Sequence, residues 1–172
     1  MATHFIILII FLVIVSYYDV VHQRIPNWLS MSGVLAGIIY HLAFNQLDGF
    51  IQAVSGALAG GIILLILYIF KAIGAGDVKL FAAIGAITGV LFTLYAIMYS
   101  IIFAGIIGLV VLLFTKTFFI NMTLVFLHIK ETIQKKSLTP MEEFKTTISN
   151  RFPFVYAVIP GVITAFYYIH LA

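Results

Sequence analysis

The chain has 172 residues, of which 63% are hydrophobic and only 9% are charged. Since soluble domains carry about 25% charged residues, this composition excludes a water-soluble globular protein of this size. The net charge of +3 comes from basic residues that lie between long apolar runs, which favours membrane topology over nucleic-acid binding as its explanation. The absence of cysteine excludes disulfides, thiolate zinc sites, iron–sulfur clusters and cysteine nucleophiles.

The apolar runs predict an all-α polytopic membrane protein, with six transmembrane helices in one bundle and a single domain over residues 1–172. The uncharged stretch 80–115 is too long for one crossing, so we divide it near Thr88 and Gly89, which leaves a short fourth helix. In chain order the predicted spans are 3–18, 28–44, 50–70, 78–90, 92–115 and 153–171. Close helix packing is predicted by three glycine pairs at helical spacing, Gly33/Gly37, Gly56/Gly60 and Gly85/Gly89.

Six spans place all nine Lys and Arg residues on one side of the membrane. The positive-inside rule then makes that side cytoplasmic and puts both termini outside. Residues 117–150 fall on the cytoplasmic side and mix apolar with basic segments. We expect this segment to lie on anionic lipid as an interfacial loop or helix, with a docking surface for a substrate or assembly partner as the alternative.

Two acidic residues stand at the ends of apolar runs on the predicted cytoplasmic side. Asp19 closes the first run, and Asp77 follows Gly74-Ala75-Gly76 at the start of the fourth. Ionisable groups at membrane depth are costly and are functional by default. Either carboxyl alone would be explained as an interfacial residue at a helix end. Together they predict a catalytic pair that shares a proton, of the kind that hydrolyses amide bonds.

The two helix ends predict different protonation states for the pair. The C-terminal end of a helix disfavours an ionised acid, whereas the N-terminal end favours it. We therefore expect Asp19 to be neutral and Asp77 to be ionised, with the charge of Lys79 adding to the second effect. In this hypothesis Asp77 starts as the general base and Asp19 as the general acid.

The residues around both acids resemble a known family. Gly74-Ala75-Gly76-Asp77-Val78-Lys79-Leu80 is similar to the GxGD signature of type IV prepilin peptidases. Asp19 followed by Arg24-Ile25-Pro26-Asn27 resembles the first aspartate region of that family. The resemblance covers nearly the whole chain, including the predicted six-span layout.

This resemblance implies that Asp19 and Asp77 are the catalytic aspartates and that Gly74 and Gly76 form the loop that places Asp77. Supporting roles are implied for Lys79, Arg24 and Asn27. The implied activity is endoproteolytic removal of a short basic leader from prepilins and pseudopilins, at the cytoplasmic face of a bacterial or archaeal cell membrane. The implied partners are those substrates and the lipid bilayer, with no nucleic acid.

The chain is most similar to the short members of the family, such as those that serve tight-adherence (Flp) pili. Longer members carry a cytoplasmic insert with zinc-binding cysteines and methylate the new N-terminus, whereas this chain has no such insert and no cysteine. We therefore assign no metal, no S-adenosylmethionine and no N-methylation. The alternatives are a GxGD protease with other substrates, such as preflagellins, and a non-enzymatic proton-coupled carrier or scaffold.

Overall fold

A computed structural model describes residues 3–22, 25–114 and 154–170, and every regular element in these ranges is a helix. The all-α prediction is therefore confirmed. The helices are α1 (Thr3–His22), α2 (Asn27–Ile69), α3 (Ala75–Thr88), α4 (Val90–Phe114) and α5 (Val155–His170). The predicted interfacial segment 117–150 lies outside the described residues.

The chain divides into two compact units. One comprises Met1–Ala104 with Pro153–Ala172 and holds both aspartates, whereas the other comprises Gly105–Phe152. In the second unit the described residues are the C-terminal part of α4, 105–114. All relationships that follow lie within the first unit.

Three helices are long and apolar enough to cross a membrane, namely α1, α2 and residues Val90–Val111 of α4. α5 is a shorter apolar helix. α3 has 14 residues, which gives a length of about 21 Å against a hydrocarbon core of about 30 Å. It ends at Thr88, and Gly89 follows with φ +83 before α4 begins. The predicted short fourth helix and its boundary near Gly89 are thus confirmed.

The 43-residue α2 consists of two arms that meet at Gln46. Gln46 has φ 51 and ψ −133, which no α-helix accommodates. The chain reverses there so tightly that a Cβ on Gly49 would overlap the carbonyl of His41, eight positions earlier. The two arms, residues 27–45 and 47–69, correspond to the second and third predicted spans.

The first arm of α2 runs in the same direction as α3. A Cβ added to Gly33 would lie 3.0 Å from the Cβ of Ala83, and one added to Gly37 would lie 2.5 Å from the backbone of Ala86. The residue numbers of the contacting positions increase in the same direction along both helices, so the two helices are parallel. Gly33 and Gly37 therefore allow a backbone approach that any larger residue would prevent.

The second arm runs against α3 in the opposite direction. A Cβ on Gly56 would overlap the carbonyl of Gly85, and one on Gly60 would overlap the carbonyl of Phe81. α3 therefore lies between two antiparallel arms of α2, and its residues from Leu80 to Ile87 are largely buried. The interpretation of the glycine pairs as packing positions is confirmed, and this packing fixes α3, the helix that carries Asp77 in its first turn.

α1 and α5 are antiparallel neighbours. At one end the rings of Phe5 and Phe166 meet edge to face, with centroids 4.8 Å apart. At the other end the carboxyl of Asp19 accepts a hydrogen bond from the backbone amide of Val155. The first turn of α5 is therefore placed beside the last turn of α1.

Candidate active site

The carboxyl of Asp77 folds back over the start of its own helix. Asp77 is the third residue of α3, and its Oδ2 accepts a hydrogen bond of 3.0 Å from the backbone amide of Gly74, the N-cap residue. This is one half of a capping box, because glycine has no side chain with which to return the bond. A Cβ at position 74 would lie only 3.2 Å from Oδ2 of Asp77, so glycine leaves the room that the carboxyl needs.

Gly76 has a different environment from Gly74. A Cβ at position 76 would lie 3.6 Å from the side chain of Ile25, which is ordinary van der Waals contact. Packing in this structure therefore tolerates a methyl group at position 76. The contact also shows that Ile25, in the connection between α1 and α2, covers the glycine turn.

Asp19 lies in the last turn of α1 with 9% of its surface exposed. Its carboxyl accepts a hydrogen bond from the amide of Val155, while its Oδ2 atom is buried and has no hydrogen-bond partner among the described residues. The N-terminal end of α5 thus lies beside Asp19. The sequence analysis placed Asp19 at the end of the first helix and did not predict this contact with α5. Val155 is far from Asp19 in the sequence. The local sequence indicates only that a helix starts near Val155, because Pro153 is a residue type common at helix starts.

The two carboxyls interact electrostatically. Asp77 lies outside the three candidate spans, and burial raises its pKa to about 6, while the Gly74 hydrogen bond opposes this rise and the nearby Asp19 adds to it. We expected the helix N-terminus to lower this pKa, and that expectation was wrong. The loss of hydration on burial outweighs the favourable amide and helix end.

Lys79 does not supply the charge that we expected beside Asp77. Its Nζ atom donates a hydrogen bond of 2.6 Å to Oδ1 of Asn27 at the start of α2. This bond joins the first residue of α2 to α3 two residues after Asp77, and a supporting role for Lys79 and Asn27 remains a prediction. Arg24, the third predicted supporting residue, lies outside the described residues.

The arrangement provides two carboxyl groups from the ends of different helices, and Asp19 raises the proton affinity of Asp77. Within residues 3–22, 25–114 and 154–170, no group of three or more His, Cys, Asp or Glu residues forms a cluster for a metal ion. A carboxyl with a pKa near 6 can both take up and release a proton around neutral pH. The site is thus suited to general acid–base chemistry.

Comparison with protein families shows that the model of the type IV leader peptidase family matches residues 6–109. The matched region contains Asp19, the glycine turn and Asp77, and it ends before α5. Comparisons with curated proteins and with solved structures gave no match.

Proposed function

Because this chain belongs to the type IV leader peptidase family, we propose that it is a membrane aspartic endopeptidase that removes the basic leader from prepilins or pseudopilins. The observation that carries the proposal is that Asp19, at the end of α1, lies near enough to raise the pKa of Asp77 in the first turn of α3. Such a pair of carboxyls is the arrangement with which aspartic proteases hydrolyse peptide bonds.

In the proposed mechanism Asp77 is the base. At pH 7 a carboxyl with a pKa of about 6 is mostly ionised, and it holds a proton more strongly than an ordinary aspartate. Asp77 takes a proton from water as the water oxygen attacks the scissile carbonyl carbon. Asp19 gives its proton to the carbonyl oxygen, which produces a neutral tetrahedral intermediate.

Breakdown of the intermediate reverses the proton flow. The proton that Asp77 took from water goes to the leaving amine as the C–N bond breaks, and Asp19 recovers a proton from the intermediate's hydroxyl as the new carboxyl group forms. The hydrogen bonds from Gly74 and Val155 hold the two side chains during these steps. The pair titrates as a unit, so apparent pKa values belong to both residues together.

We propose six crossings with the site at the cytoplasmic face of a bacterial or archaeal cell membrane and with both termini outside. The two antiparallel arms of α2 support two crossings where hydropathy alone finds one long helix. Because the chain lacks cysteine, single cysteines can report this topology. A membrane-impermeant maleimide added to intact cells should label Asp48→Cys and leave Lys71→Cys unlabelled; the reverse pattern would overturn the orientation.

The substrate proposal is tested with purified protein in lipid vesicles and two precursor proteins. One is a prepilin of the tight-adherence type with a basic leader and a glycine before the cut, and the other is a preflagellin. Cleavage of the prepilin alone would support the proposal, whereas cleavage of the preflagellin alone would assign another substrate class to the same site. Proton-coupled solute uptake by protein that cleaves neither precursor would favour the non-enzymatic alternative.

A further inference from the structure

An apolar groove lies between α1 and α5, with a volume of about 460 Å³. Its lining follows one face of each helix, at intervals of three and four residues. α1 contributes Phe5, Leu8, Ile9, Leu12, Val13 and Ser16. α5 contributes Ile159, Val162, Ile163 and Phe166, and α4 adds Phe92.

Among the described residues, the lining of the groove presents no charge and no free hydroxyl. Ser16 is the one polar lining residue, and its Oγ atom donates a hydrogen bond of 2.6 Å to the carbonyl of Leu12. The outer lining residues Ile9, Val13 and Ile163 are 60%, 64% and 63% exposed. The groove is therefore open towards the surface of the bundle and suits an apolar occupant.

The two ends of the groove differ. At one end the rings of Phe5 and Phe166 meet edge to face. The other end points to the hydrogen bond between Asp19 and Val155. Ser16 precedes Asp19 by three residues and Ile159 follows Val155 by four, which are distances of about 5 Å and 6 Å along the helix axes.

We propose that this groove receives the apolar transmembrane helix of the substrate, directly after the cut. The inference rests on the proposed function, in which the scissile bond immediately precedes such a helix. A helix seated in the groove would begin about one turn from the Asp19 carboxyl, whose buried Oδ2 atom has no hydrogen-bond partner among the described residues. The scissile bond would then lie beside the carboxyl groups of Asp19 and Asp77. α1, which carries Asp19, would thereby also hold the substrate.

The test uses the photoreactive residue p-benzoylphenylalanine at Val13, in the Asp77→Asn variant so that the bound precursor stays uncut. Ile10 provides the matched control, because it is on the same helix, is 55% exposed and does not line the groove. Irradiation in vesicles with the intact prepilin should crosslink the prepilin helix to position 13 and not to position 10. Crosslinks from position 13 to lipid alone, or equal crosslinks from both positions, would overturn the inference.

Kinetics separate this inference from the proposed function. Val13→Trp fills the groove and should raise KM for the intact prepilin by about tenfold, while Ile10→Trp should leave it unchanged. Neither change should affect a soluble peptide that ends shortly after the cut, which also controls for folding. If the wild-type protein cleaves the prepilin and Val13→Trp does so with an unchanged KM, the groove inference fails and the function stands. If the wild-type protein cleaves no prepilin, the proposed function itself fails.

Discussion

The backbone amide of Gly74 donates a hydrogen bond of 3.0 Å to Oδ2 of Asp77, and this bond needs the space that a side chain at position 74 would fill. The glycine turn therefore does more than permit a bend in the chain. It lets the carboxyl fold back on the start of α3, where the Gly74 amide holds it.

The two glycines of this turn should differ in their tolerance of alanine. A Cβ at position 74 would crowd Asp77 at 3.2 Å, whereas one at position 76 would make ordinary contact with Ile25 at 3.6 Å. We expect Gly74→Ala to lower kcat/KM by about 10- to 100-fold through misplacement of the carboxyl, and Gly76→Ala to lower it by less than about threefold. Prepilin cleavage by the two purified variants measures this, and a larger loss in Gly76→Ala would contradict the steric explanation.

Lys79 and Asn27 should act as a pair. Both side chains are exposed, so their hydrogen bond contributes less than about 1 kcal/mol, and we expect each of Lys79→Met and Asn27→Ala to lower activity by about two- to fivefold. The double variant should be no worse than either single one, because the bond is already lost. Lys71→Met removes the same charge from an exposed residue after α2 and serves as the control. Additive losses in the double variant would show that the two residues act separately.

The acid limb of the pH–rate profile should reflect the raised pKa of Asp77. Because the base must be ionised, kcat/KM should fall as the pH drops through about 6, rather than near the ordinary aspartate value of 3.8. The midpoint belongs to the coupled pair, so a substitution at Asp19 should shift it downwards in any residual activity. A profile that stays flat down to pH 5 would contradict the raised pKa of Asp77.

The same raised pKa has a consequence for stability. The native protein holds a proton on Asp77 up to a pH of about 6, whereas the unfolded chain releases it near 3.8, so stability falls as the pH rises between these values. Asp77→Asn, which stays neutral and still accepts the Gly74 bond, should therefore be more stable than the wild type by roughly 1–2 kcal/mol at pH 7. Thermal unfolding in detergent should show this difference shrinking towards pH 4. If the stability difference between Asp77→Asn and the wild type stayed constant or grew towards pH 4, protonation of Asp77 would not be the cause of the difference.

Local sequence features predicted much of this arrangement. The short α3 followed from the break at Gly89. Placing both acids at one end of the predicted spans anticipated that Asp19 lies near enough to affect the pKa of Asp77. These features depend on hydropathy, charge and glycine spacing, which a single sequence displays.

The remaining features depend on contacts between distant segments. The amide of Val155 reaches Asp19 only because α5 packs antiparallel to α1, and Lys79 turns to Asn27 only because α2 begins beside α3. The pKa of Asp77 is set by burial, and burial depends on all the neighbouring helices together. Helix polarity, the one electrostatic signal available in the sequence, is the smaller effect at this position.

The central claim is that Asp19 and Asp77 form one catalytic unit. It is tested most directly by prepilin cleavage with Asp19→Asn, Asp77→Asn and the double variant, each purified and shown to be folded by thermal unfolding. Because neither carboxyl can replace the other, each single variant should lose activity by at least about 10³-fold, and the double variant should lose no more than either single one. Cleavage within about tenfold of the wild-type rate by either single variant would contradict the claim.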